Sequence, residues 1–212
     1  KKFLLLISGL VLYSLFLVAL SLNLRPEKVE HVFGESGFFE NMSWVLWVAG
    51  GLLSLYYLKQ AAYKASAFFI TFLLFAVREL GFHKAFTSDS FLKTNFYEQG
   101  FGVEQYIGGA FAIFSILVVI FFIALITRYV FFQKGWSYLS GQCLLLACTL
   151  LFGTKILDRS PAILRRDFDV HLCGNIDNIM LALEEGLETA TPALFILAFS
   201  VKPNIFFRYK KQ

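Results

Sequence analysis

The sequence predicts an all-α polytopic membrane protein, a bundle of six transmembrane helices with both termini in the cytoplasm. Three observations predict it. Hydrophobic residues make up 58% of the 212 residues and charged residues only 16%, whereas soluble domains carry about a quarter charged residues. Six stretches are long enough for a bilayer span, which needs roughly 20 mostly apolar residues. All 15 acidic residues and all three histidines fall on one side of the resulting topology.

The six spans are read at 3–24, 39–58, 61–82, 106–132, 138–157 and 178–201, within a single integral-membrane domain covering 1–212. The first follows Lys1 and Lys2. Its apolar run is longer than the roughly 7–15 residues of a signal-peptide core, and no small-x-small cleavage site follows Asn23, so a retained helix is expected. The third ends in Arg78 and Glu79, the fifth holds Lys155, and the sixth carries Glu184, Glu185 and Glu188. A backbone in lipid must satisfy its own hydrogen bonds, which leaves helices. The ten-residue alternation of a membrane barrel is absent.

Orientation follows from the connections. The N-terminus, 59–64, 128–134 and the tail share one side, which is basic and free of acids. The segments 25–38, 83–105 and 158–177 share the other. Basic residues in short loops favour the cytoplasmic face. The acidic side is therefore expected on the periplasmic or extracellular face of a bacterial inner membrane.

Charges within or beside the hydrocarbon cost from about 2.5 kcal/mol each and normally face the bundle interior, where they mark ion paths, ligands or active sites. On the last span, 100° per residue puts Asp177, Glu184, Glu188 and Thr191 on one stripe. Asp177 or Asn178 is expected to cap this helix, and Pro192 to kink it one turn past Glu188. Close carboxylates oppose one another's ionisation unless a cation separates them. That cation could be a metal, Lys155, Arg78 or Arg159.

Glu79 and His83 stand four apart on one helical face, a spacing that lets both reach one ion. With Glu188, they form the expected metal set, suited to Zn, Mn or Fe. Glu188, Glu184 and Asp158 are the candidate catalytic acids and bases. Arg159 and Arg165 are the candidate contacts to an anionic headgroup. His31 and His171 are expected in flanking loops that could fold over the site. The plainer alternative is a buried ion-pair network that locks helices together.

Other segments say less. Phe86, Phe91, Phe96 and Tyr97 alternate with polar residues in 83–105, as in an interfacial amphipathic segment. Arg165 and Arg166 could grip a phosphate or pair with Asp167 and Asp169, and pairing is favoured. Cys143 and Cys148 read as packing residues. Gly50-Gly51 and Gly108-Gly109 suggest close helix approach. The tail around Arg208 is basic and aromatic, suited to lipid headgroups and too short for nucleic acid. No P-loop, nucleotide fingerprint or Gly-x-Ser-x-Gly elbow is present.

A polytopic chain with His, Asp and Glu gathered on its outer face is similar in general plan to membrane-embedded metal-dependent lipid amidases. The paired histidines four apart on a late helix of that family are missing, and acids stand in their place. No residue role is carried over.

The leading expectation is an enzyme acting on a lipid or lipid-linked substrate, for which a divalent metal such as Zn, Mn or Fe is one option and no cofactor is fixed. The alternative is a non-enzymatic interaction or sensor subunit of a membrane complex, or a homo-oligomer. A third reading is a proton-coupled carrier, against which the inner halves of the helices are almost free of ionisable groups.

Overall fold

The computed structural model describes residues 2–59, 61–81, 96, 102–170 and 172–201. The described chain is all-α, with six long helices and a short one. These are α1 (Lys2–Asn23), α2 (Pro26–Phe33), α3 (Phe38–Tyr57), α4 (Ala62–Glu79), α5 (Val103–Thr127), α6 (Leu139–Phe168) and α7 (Gly174–Val201). Four stretches are long and apolar enough to cross a membrane, namely α1, the α2–α3 stretch, α5 with its continuation to Phe132, and α6. The chain is an all-α membrane protein. α4 and α7, which carry charges, fall outside those four and pack among them.

Two boundaries differ from the sequence reading. The segment 158–177 was expected as a loop, but α6 runs on to Phe168, straight through Pro161. The run Ala162–Phe168 consists largely of good helix formers, and Pro161 costs only the donor to Leu157. At 1.5 Å per residue, this 30-residue helix is about 45 Å long, longer than the roughly 30 Å of a bilayer's hydrocarbon. α7 starts at Gly174, which puts Asp177 in its first turn rather than at its cap.

The short α2 was not expected. Pro26 sits in its first turn, where a missing donor costs nothing, and Arg25 enters it in an extended conformation. Val29 and Phe33, four apart, are fully buried. They join Leu17, Phe39 and Ala182 in a small apolar cluster at the acidic end of the bundle.

α7 is the central element and packs against α1, α2, α3 and α6. Apolar side chains gain little from burial against lipid, so helix association depends on close packing. Glycines supply it. A Cβ on Gly50 would meet the Phe72 ring at 2.9 Å, and one on Gly186 would meet Leu17 at 2.2 Å. The first pair brings α3 onto α4, as expected for Gly50-Gly51. The second brings α1 onto α7 and went unread in the sequence.

The main core is aromatic. Trp47, Phe68, Phe72, Phe122, Phe195 and Phe199 are buried together. Phe68 and Phe122 meet edge to face at 4.9 Å, and Trp47 lies 5.0 Å from Phe72. Such pairs contribute about 0.5–1.5 kcal/mol each beyond burial. Cys143 lies in this core with a free thiol, and Cys148 packs against it.

Candidate functional site

α6 and α7 lie side by side over much of their length. The acidic stripe of α7 therefore faces Lys155 of α6, whose Nζ ion-pairs with Oε1 of Glu188. Glu188 is only 10% exposed and Lys155 33%. That glutamate oxygen is buried from every other hydrogen-bond donor among the described residues, so it depends on the lysine. Beside the pair, a cavity of about 10 Å³ is lined by Trp47, Phe75, Arg78, Glu79, Thr154 and Thr191, among others. This is close to the least space a single water needs.

Further carboxylates crowd the pair. Glu79 lies within electrostatic reach of Glu188, Arg78, Lys155 and Glu40. Glu184 lies within reach of Asp158, Glu188, Lys155 and Arg78. Glu185 reaches Glu188, Glu184, Glu79 and Glu40. Six carboxylates from four helices are thus linked through electrostatic contacts to three cations, Arg78, Lys155 and Arg159. A balanced network would need roughly equal numbers. Among the described residues the carboxylates outnumber the cations, and close carboxylates oppose one another's ionisation.

Backbone chemistry adds to the site. Pro192 is buried inside α7 and has no N–H, so the peptide oxygen of Glu188 lacks its helical donor. Pro161 does the same to the peptide oxygen of Leu157, next to Asp158. On α3, Glu40 accepts from the backbone N–H of Ser36. One turn further in, the hydroxyl of Ser43 is buried with no hydrogen-bond partner among the described residues.

The structure places Glu79, Glu184 and Glu188 near Lys155, and Asp158 near Glu184. Glu40, in the first turn of α3, also lies within reach of Glu79 and Glu185. The sequence carries the signal: Glu40, Ser43 and Trp47 follow the buried stripe of α3 at spacings of three and four.

Other candidates lie at its edge or elsewhere. The Arg159 side chain is 80% exposed and lies 3.9 Å from Asp158, at the exposed edge of the cluster. Arg165 is exposed. Arg166 pairs with Asp167 at 2.7 Å, as favoured from sequence, and its hydrogen bonds hold the Asp167 carboxyl below the usual aspartate range. His31 was expected to fold over the site. It instead sits on α2, exposed, in a separate hollow lined by Phe16 and Phe38. α2 packs on the α7 and α3 side of the bundle, and this places the imidazole apart from α6.

His83, His171 and the proposed amphipathic segment, apart from Phe96, lie outside the described residues. Among the described residues, no three His, Cys, Asp or Glu side chains form a group that could hold a metal ion. The cation on Glu188 is the Lys155 ammonium. No model of a known family matches the chain, and no curated protein or solved structure is significantly similar to it.

Proposed function

We propose that the protein is a membrane-embedded enzyme whose carboxylate cluster performs acid–base chemistry on a lipid or lipid-linked substrate. The observation that supports this most is the excess of carboxylates over cations among the described residues of this neighbourhood, six against three. Carboxylates crowded in this way can donate and accept protons. In this reading Lys155 orients Glu188, while Glu184 and Asp158 exchange protons at the mouth. Arg159 and Arg165, both exposed on the C-terminal part of α6, meet an anionic headgroup. The basic loops favour a cytoplasmic location for the opposite end, so we place the cluster on the periplasmic side of a bacterial inner membrane.

The lysine on Glu188 favours carboxylate chemistry over a metal-bound water. A Zn, Mn or Fe ion held by Glu79, His83 and Glu188 is the variant of this reading that elemental analysis tests. About one equivalent of metal, lost from a folded Glu79→Gln/Glu188→Gln protein, would favour the metal.

The enzyme reading is tested in proteoliposomes of native polar lipids, followed by mass spectrometry of the lipid extract. A lipid species consumed by the wild type and spared by folded Glu188→Gln supports it. An unchanged lipid profile with wild-type protein counts against it.

One observation favours a second reading, an interaction subunit of a membrane complex. α5 packs mainly on α4 and leaves a long exposed apolar face, including Ile113, Leu117 and Ile120. A purely structural network would tolerate exchanging Lys155 and Glu188, and an active site would not. For the carrier reading, flux in liposomes is the direct assay.

A further inference from the structure

α1 and α3 both pack on α7, yet they make little direct contact with each other. Between them lies a groove of about 450 Å³, floored by Thr189, Ala190 and Ala193 of α7 and walled by Gly9 and Tyr13 of α1 and Leu46 of α3. This volume lies within the roughly 300–1,000 Å³ of ligand sites. Its floor is on the face of α7 opposite Glu184 and Glu188, by the 100° step per residue. Glu185 lies nearer, about a quarter turn from the centre of this floor, but none of the residues lining the groove belongs to the carboxylate cluster.

The groove is apolar by more than composition. Its two hydroxyls are turned into the protein. Tyr13 donates to the Gly186 carbonyl at 3.0 Å. Thr189 donates to the carbonyls of Phe39 and Glu185 at 2.9 and 3.0 Å. Water in a groove needs two to four polar partners, and these two groups are spent elsewhere. The walls belong to stretches that are long and apolar enough to cross a membrane, so the groove opens onto hydrocarbon. Its width comes from small residues. A Cβ on Gly9 would have nothing within 4 Å.

A second hollow of about 600 Å³ continues along the same stripe of α1 through Phe16 and Leu20. It has a polar edge at His31, Ser36 and Asn41. The two hollows in series thus have an apolar run and a polar end, which is the plan of an amphiphile. We propose that the α1–α3 groove is a binding site for one acyl chain of a membrane phospholipid, whose headgroup lies at the His31 end. Occupancy fills the gap that two unpaired helices leave over α7.

The test uses the full chain in phosphatidylcholine vesicles containing a phosphatidylcholine with a photoactivatable diazirine in its acyl chain. Adducts are mapped by peptide mass spectrometry. Adducts on Thr189–Leu197 of α7 should exceed, per residue, those on the exposed α5 face at Ile113–Ile120. In Gly9→Trp they should fall about tenfold, the effect of displacing about two methylenes, while the α5 adducts stay constant. Ala193→Leu is the second variant, used if Gly9→Trp fails to fold, and should reduce them in the same direction. Equal labelling of α7 and α5 in the wild type would show ordinary surrounding lipid and overturn the proposal. So would unchanged α7 labelling in a folded variant, or a dimer cross-link in place of lipid adducts.

Discussion

Lys155 of α6 and Glu188 of α7 form the ion pair around which the acidic end of the bundle is organised. Removing one partner of a fully buried pair costs about 3–5 kcal/mol, because the other charge is left uncompensated. Here Lys155 is one-third exposed, which reduces the effect to about 2–3 kcal/mol. Lys155→Met should lower the unfolding midpoint in detergent accordingly. Lys155→Met/Glu188→Leu should recover most of that loss. A double variant as unstable as the single one would show that the pair is not the source of the effect.

The contact of α1 with α7 depends on Gly186. A side chain there would strike Leu17, whose carbon stands 2.2 Å from the Cβ position. Gly186→Leu should cost at least the roughly 1–3 kcal/mol of an overpacked core, and Leu17→Ala should restore part of it. Thermal denaturation of the single and double variants measures both. Full stability in Gly186→Leu would contradict this approach of the helices.

Gly153 offers the opposite case. It lies mid-helix in α6 with nothing within 4 Å of a Cβ. Gly153→Ala should raise stability by about 0.5–1 kcal/mol, from the lower entropy of the unfolded chain and better helix propensity. A destabilised variant would mean that another element occupies that space.

Asp167 has a folded pKa depressed by its hydrogen bonds with Arg166. A depressed carboxyl contributes stability above its unfolded pKa of about 3.9, and that contribution is lost as pH falls through the lower folded value. Both residues are exposed, so solvent screens the pair. Carbon-detected NMR of labelled aspartate should show Asp167 titrating below an ordinary aspartate, and Arg166→Gln should bring it back up. An unchanged midpoint in that variant would remove the pair as the cause.

The sequence carried the architecture because membrane spans are written in runs of apolar residues. The positions of Asp177, Glu184 and Glu188 on one face followed from helical geometry alone. What faces that stripe did not, since the spacing within one helix says nothing about its neighbour. Lys155 was a candidate among three cations, and only packing selected it. The extension of α6 past Pro161 was hidden by the weight given to proline and charge, although Ala162, Leu164, Arg165 and Arg166 all favour helix. The separation of α1 from α3 left no trace in either strand of sequence, because it depends on how both rest on α7.

Pro192 gives α7 a mechanical property as well as a chemical one. Its missing N–H means that no backbone hydrogen bond ties Glu188 to the next turn. Bending there meets one rung fewer in the helix ladder, and the residue whose carbonyl lacks that rung is the one paired with Lys155. α7 thus has a joint one turn past Glu188 that is held by packing against α3 and α6 as well as by the ion pair with Lys155.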